Sequence, residues 1–517
     1  MTGTPAAALR LLHAGDHVAI ALRDIAAGEQ LAVDGQDLNV ATDVPRGHKV
    51  AVLARANGEP VEKYGHVIGT ATAPIAPGDH VHSHNLTFSA HAATSAAQAG
   101  STGSWTPPEL PERRTFLGIR REDGRVATRN HIAIVASVNC SATVVKAIAD
   151  RVERAGILPD TVDGVLPLAH DLGCGMAPSG EGMDILRRTI LGYADHPNVG
   201  GVLAIGLGCE VNQMEQLFAE FETGPHRPAR DLPLVRMTIQ DSGGTRATIA
   251  KGIEAIEAML PRVADVRREE VPVSELVLGL NCGGSDGWSG ITANPALGHA
   301  SDLIVAQGGT SVLAETPEIY GAEDLLVERA TDPRVAQDLL DVIAWWEKYT
   351  ESTGASMDNN PSPGNKEGGI TTILEKSLGA VAKGGHAPLA AVYRYAEKID
   401  TRGFGFMDTP GYDPVSVTGL VAGGANLVCF TTGRGSALGS RPAPTLKVAT
   451  NSDLYRRMGD DMDIDAGEMV EHDVSIEEKG LEIYHALLDL ASGTQSASEE
   501  LGYGLEEFIP WHIGAVM

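Results

Sequence analysis

A chain of 517 residues is long enough for roughly two to four domains with substantial cores. Its 40 basic residues against 68 acidic ones give a formal charge of −28. That balance argues against nucleic acid or an anionic membrane as partner, so any anionic substrate has to be met by local arginines and lysines. No apolar stretch reaches the length of a spanning helix, and the start of the chain lacks the basic-then-apolar pattern of a signal peptide. Five widely spaced cysteines do not read as a secreted disulfide framework, and the cytoplasm is the expected location.

In chain order, residues 1–88 read as a small β domain, with short apolar runs at 17–22 and 49–53 separated by turns such as Ala26-Ala27-Gly28-Glu29 and Ala76-Pro77-Gly78-Asp79. Val81-His82-Ser83-His84-Asn85 places His82 and His84 two apart on one strand face. With His48 they form a set able to hold a metal or an anion, or are plain surface histidines. Residues 89–112, small and then proline-rich, read as a flexible linker.

From Phe116 apolar strands alternate with helical segments at 142–155, 181–193 and 245–260, the rhythm of a parallel sheet. This gives an α/β domain at 113–268. The charged stretch 262–270 suggests a boundary, and 269–517 forms a second α/β domain with strands at 276–280, 302–305, 389–393, 427–430 and 446–449. Arg120, Arg121, Arg125 and Arg129 surround the turn Glu122-Asp123-Gly124, as a solvated face or as part of an anion-attracting funnel.

Four of the five cysteines follow a predicted strand. They stand in Asn139-Cys140-Ser141, Gly173-Cys174-Gly175, Gly208-Cys209-Glu210 and Asn281-Cys282-Gly283. The carboxyl ends of parallel strands face the ligand crevice. Thiols there are metal or substrate contacts, or small side chains that fill tight turns. Cys429 lies within a strand and reads as core.

The run 282–294 (CGGSDGWSGITAN) combines Cys282 with Ser285, Asp286 and Asn294. That density of short polar groups suits a polyhydroxylated ligand or a hard cation; otherwise it is a polar turn. Residues 360–369 (NPSPGNKEGG) add Asn365, Lys366 as base or carboxylate anchor, and Glu367 as acid or metal ligand. Residues 431–439 (TTGRGSALG) add Thr432 and Arg434, the latter a bidentate carboxylate clamp. The following Ser440-Arg441-Pro442-Ala443-Pro444 cannot open the helix that a dinucleotide loop requires.

Taken together these segments resemble the altronate/galactarate dehydratase family over nearly the whole chain. The resemblance runs through Gly47-His48-Lys49-Val50-Ala51, His82-x-His84-Asn85, Asp123-Gly124-Arg125, Ile205-Gly206-Leu207-Gly208-Cys209-Glu210, residues 282–298, 360–369, Thr431–Gly435 and Met462-Asp463-Ile464-Asp465-Ala466-Gly467. It implies an N-terminal SAF or β-clip domain, a middle domain used in dimerisation and a C-terminal Rossmann-like catalytic domain. The histidines favour the altronate branch. Gly435-Ser436-Ala437-Leu438-Gly439 departs from the Gly-Thr-Pro-Tyr-Gly of better-known members, which bears on the particular sugar acid.

The activity so implied is a hydro-lyase that dehydrates an anionic sugar acid to a 2-keto-3-deoxy acid. It depends on a divalent metal, typically Fe2+, with Mn2+, Mg2+ or Ca2+ as other choices. The expected catalytic residues are Lys366, Arg434 and His84. The expected substrate contacts are Ser285, Asn294, Asn365, Thr432, His48, His82 and Arg129. The expected metal ligands are Cys282, Asp286, Glu367, Cys140 and Cys174. Three other readings stay open: a related lyase expelling another group, such as sulfite from sulfolactate; an iron–sulfur redox protein, against which the lack of any Cys-x-x-Cys pair counts; and a non-catalytic sugar-acid sensor or binding module.

Overall fold

The computed structural model describes residues 8–88, 94–101, 103–224, 227 and 229–514. The start of the expected linker, 89–93, and Thr102 lie outside them. The molecule is mixed α/β.

The N-terminal part is all β. Strands Leu9–Arg10, Val18–Ala21, Lys49–Ala51 and His80–Val81 form one sheet, and Pro60–Lys63, His66–Ala71 and Leu86–Thr87 a second. Three turns repeat one device. At Gly28, Gly58 and Gly78 the backbone takes φ of +80°, +88° and +94°. The carboxylate that follows each glycine, on Glu29, Glu59 or Asp79, accepts the N–H of the alanine three residues before it. This is the short polar turn chemistry that the alternation of apolar runs and Gly-acid pairs implies.

In the middle part, strands Gly164–Leu168, His131–Ala136, Val199–Gly206 and Leu234–Thr238 lie side by side in that order, all parallel. Helices Ala142–Ala155 and Thr245–Val263 cover one face, and Glu181–Asp195 and Met214–Thr223 the other. The stretch expected as a boundary is not a loose joint. Strand Arg268–Pro272 runs antiparallel to Thr115–Arg120, with Phe116 opposite Val271. The incoming and outgoing chains of the middle part are therefore hydrogen-bonded to each other.

The C-terminal part is built on seven parallel strands in the order Leu389–Tyr393, Gly403–Met407, Thr310–Leu313, Val277–Cys282, Leu427–Thr432, Thr445–Ala449 and Ile464–Asp465. Its interior strands are apolar and buried, as expected for a sheet covered on both faces. The strand expected at 302–305 is instead the last turn of helix Ala293–Ala306. Ala296, Leu297, Ala300, Leu303 and Ile304 are buried at helical spacing. Leu303-Ile304-Val305 is too short an apolar run to show a period of its own.

Val277–Cys282 lies between the strand that follows it in sequence and a strand that arrives after three other strands of the sheet have been placed on the far side. It is a topological switch point, where open α/β sheets form their crevices, and Cys282 is its last residue.

Candidate active site

At that strand end Cys282 is 1% exposed and is flanked by charges that are also buried. Lys383 Nζ donates to Cys282 Sγ at 2.7 Å, and the thiol lies 3.1 Å from Glu318 Oε2. Glu315 Oε2 accepts the backbone N–H of Cys282 at 3.1 Å and pairs with Lys383 at 3.3 Å. Lys376 pairs with Glu318 at 2.8 Å. Two carboxylates and two ammonium groups thus surround one thiol.

Glu315 follows strand Thr310–Leu313 and has φ +74°, a left-handed conformation rare for a side-chain-bearing residue. Such geometry costs on the order of 1–3 kcal/mol and persists where the surroundings enforce it. Here Glu315 N–H donates to Thr409 Oγ1 at 2.9 Å, and the turn aims the carboxylate at Cys282.

The electrostatics divide the carboxylates. Burial, reinforced by Glu318, pushes Glu315 up to about 8. Burial also acts on Glu318, but Lys376 and Lys383 outweigh it and hold that carboxyl below its usual value. Burial and the Glu318 charge raise the Cys282 thiol well above its ordinary value. Asp413, whose carboxylate closes against Gly283, is pushed to about 6 by burial and by Glu318. Of the two, Glu315 is the carboxyl more readily protonated and Glu318 the less.

Cys282, Glu315 and Glu318 place one ligand atom each within 4.8 Å of one another, the only group of three such donors this close among the described residues. Glu315 Oε1 is buried without a hydrogen-bond partner. One sulfur and two carboxylates, with one oxygen left unpaired, are a donor set that fits a divalent metal ion.

The other residues expected from sequence fall into three sets. Ser285 is buried with Oγ 3.6 Å from Cys282 Sγ, and Asn365 Nδ2 donates to its carbonyl at 2.7 Å, so the two loops meet beside the thiol. A second set forms the rim. Arg434 and Glu367 are exposed and paired at 2.9 Å, and Lys366 is half-buried beside them. His82 Nε2 lies 2.8 Å from the Lys366 carbonyl and His48 Nε2 3.2 Å from that of Glu367. The strand ends at Val81, so His82 and His84 do not share a strand face. His80, unnoticed in the sequence, stands between them with its ring 5.5 Å from each. Burial, then neighbouring His48, lowers His80 to about 3, and burial lowers His48 to about 4.

The third set is structural. Asp286 is buried and its carboxylate is occupied by the N–H groups of Trp288 and Ser289 and by the side chains of Ser289, Thr450 and Asn451. It anchors the loop and is not grouped with Cys282, and Glu367 is at the rim. Asn294 bonds Gly379 O and Thr431 Oγ1, and Thr432 Oγ1 accepts from Gly435 N–H. Arg129 is spent on Glu499 and three carbonyls. Arg125 is held by Asp123 and Asp195; neither arginine forms part of an anion funnel. Cys140 and Cys174 are exposed on the other parallel sheet and do not join Cys282 in one centre.

The N-terminal β part closes over this edge. Lys49 and Lys63 both reach buried Glu375, at 2.8 and 2.9 Å. Burial favours the neutral acid, but the two lysines outweigh it and bring Glu375 to about 2. Sequence reading missed Glu315, Glu318, Lys383 and Glu375. The signal was there in Glu315-Thr316-Pro317-Glu318 directly after an apolar strand, and in a lysine among small residues at Ala380-Val381-Ala382-Lys383-Gly384-Gly385.

Three family models match the chain in order: the altronate/galactarate dehydratase SAF domain over residues 7–89, the second domain of D-galactarate dehydratase/altronate hydrolase over 118–264, and the C-terminal domain of D-galactarate/altronate dehydratase over 273–516. The chain is 38% identical to altronate dehydratase of Bacillus subtilis (strain 168), covering 93% of this chain and 94% of that one. It is 37% identical to altronate dehydratase of Escherichia coli (strain K12), over 94% and 96%. It is 37% identical to the galactarate dehydratase (L-threo-forming) of the same organism, over 95% and 94%.

Proposed function

Since the chain belongs to the altronate/galactarate dehydratase family, we propose that it dehydrates a sugar acid, an altronate-like aldonate or an aldarate, to a 2-keto-3-deoxy acid. The observation that carries the reading is the buried Cys282–Glu315–Glu318–Lys383–Lys376 group at the switch point of the sheet.

Dehydration of a 2,3-dihydroxy acid removes the weakly acidic proton beside the carboxylate and expels the 3-hydroxyl. Negative charge builds up on the carboxylate, and the leaving oxygen needs a proton. Lys383 and Lys376 hold positive charge beside the group.

At the rim, in this reading, Arg434 holds the substrate carboxylate, Lys366 is the base, and His84, His82 and His48 form the polar wall contributed by the β part. Glu367, now paired with Arg434, is displaced when a substrate carboxylate takes that position. A divalent ion, iron(II) first and manganese, magnesium or calcium after it, would be held by Cys282, Glu315 and Glu318 and would add Lewis-acid stabilisation of the developing charge. The same reading makes the enzyme a cytoplasmic homodimer. Its five cysteines are all unpaired, in keeping with a reducing compartment, and light scattering of the purified protein tests the dimer.

The deciding experiment is anaerobic incubation with iron(II), thiol and a panel of aldonates and aldarates, with the 2-keto product trapped by semicarbazide. Product from at least one supports the reading; product from none overturns it.

A further inference from the structure

Three thiols remain that the proposed reaction does not use. Cys174, Cys140 and Cys209 stand in the loops that leave Gly164–Leu168, His131–Ala136 and Val199–Gly206, three neighbouring parallel strands of the middle sheet. Parallel neighbours are about 4.8 Å apart, so the chain leaves all three at one edge. All three cysteines are exposed. Free cysteine is among the most buried residue types, and three exposed thiols on one edge are the reverse of what packing alone selects.

The loops beneath them are fastened to each other by buried polar groups. Asn139 N–H donates to Leu172 O at 2.9 Å, and Asn212 N–H to Gly173 O at 3.0 Å. Asn212 Nδ2 donates to Ser137 O at 3.1 Å, and Ser137 Oγ to Glu210 Oε1 at 2.7 Å. Ser137, Asn212 and Glu210 are all buried. A Cβ on Gly173 would lie 2.4 Å from Ser137 O, so that loop takes its close course only with glycine there. Cys140 directly precedes Ser141, the N-cap of the 14-residue helix Ala142–Ala155, which has no side-chain cap and no acid in its first turn.

We propose that Cys140, Cys174 and Cys209 are the protein ligands of an iron–sulfur cluster, a second metal centre separate from the Cys282 group. Three thiolates are soft donors of the kind that iron–sulfur clusters take. A single ion with metal–sulfur bonds of about 2.3 Å needs its ligand atoms nearly in contact. The three sulfurs do not form such a group; the one trio of donors within 4.8 Å among the described residues is at Cys282. Three thiols at one edge that do not close into a single-ion group suit a centre of several irons and sulfides. Gln240 Nε2, 3.5 Å from Cys209 Sγ, is placed to donate to a ligating sulfur. With three protein thiolates, one iron of a four-iron cluster is left to an outside ligand.

The test uses the full chain, purified without oxygen and incubated with ferrous iron, sulfide and thiol, then desalted. Iron, acid-labile sulfide and visible charge-transfer absorption are measured for the wild type and for Cys140→Ser, Cys174→Ser, Cys209→Ser, Cys282→Ser and Cys429→Ser, with circular dichroism and melting curves confirming the fold. Iron and sulfide in equal amounts, kept in the last two variants and lost in each of the first three, is the expected result. No sulfide in the wild type, iron retained without sulfide, sulfide unaffected by the three substitutions, or sulfide lost only with Cys282→Ser each overturns the proposal. The readout does not involve turnover, so the dehydratase reading stands or falls by its own assay.

Discussion

Lys383 Nζ lies 2.7 Å from Cys282 Sγ, with both side chains sealed from solvent. Burial alone would strip the proton from the lysine, but Cys282 and Glu315 outweigh it and keep the ammonium charged. Lys383→Met leaves the thiol and Glu315 without that charge. The expected outcome is a kcat lower by about 100-fold or more. Destabilisation of about 3–5 kcal/mol accompanies it, the usual result of breaking a buried pair. Steady-state kinetics and urea unfolding check the two parts.

Removal of metal by chelator is expected to abolish turnover, and iron(II) to restore it. Glu318→Gln and Cys282→Ala each take away one donor of the close trio. Each is expected to weaken binding of the added ion by at least the roughly 10–100-fold that losing even an outer partner costs. Anaerobic calorimetry with iron(II) or manganese(II) measures it. Unchanged affinity in both variants would rule this trio out as the metal site.

Glu375 is the only counter-charge in contact with two buried ammonium groups, at 2.8 and 2.9 Å among the described residues. Glu375→Gln strands both, and a loss of about 3–5 kcal/mol in unfolding free energy is expected. Because Lys49 and Lys63 belong to the β part and Glu375 to the C-terminal part, limited proteolysis of this variant should release the β part sooner than in wild type.

Stability should fall on the acid side in two stages. His48 and His80 sit at about 4 and about 3 in the folded chain against an ordinary 6.5. Below pH 6.5 the unfolded chain takes up protons that the folded one refuses. The stabilisation is therefore complete above that pH and is lost toward pH 4. Glu375, at about 2 against 4.5, adds a loss that begins only below pH 4.5. Calorimetric melting temperatures from pH 7 to pH 4 should decline in wild type and decline less in His80→Gln.

A Cβ on Gly287 would stand 2.2 Å from the carbonyl of Gly47. Gly287→Ala therefore pushes the 47–48 turn away from the catalytic loops. The expected signature is a raised KM and a lowered kcat together, with secondary structure unchanged by circular dichroism.

The sheet architecture was legible because buried parallel strands are short apolar runs and helix Ala142–Ala155 carries its period plainly. Cys282 was legible as a strand-end thiol in a polar glycine-rich loop. Its partners were not. Glu315, Glu318 and Lys383 stand 33, 36 and 101 residues away in sequence, and only the order of strands in the sheet brings them to one edge. Asp286 was misjudged for the converse reason. A carboxylate beside a cysteine looks like a ligand, but one followed by Gly-Trp-Ser is already engaged by its own loop.

The antiparallel pairing of Thr115–Arg120 with Arg268–Pro272 makes the middle part an insertion in the topological sense: the chain departs and returns at one place. Closing so long a loop costs only a logarithmic increment of entropy, and the seven-stranded sheet never threads through what lies between. A tight turn could thus stand in for everything between the paired strands without altering the order of the catalytic sheet. The thiol-bearing module is nonetheless locked in place: Leu191, Ala194 and Phe218 share one buried core with Val421, Val428 and Phe430 of the C-terminal part, and Arg129 and His196 bond across to Glu499 and Ala425.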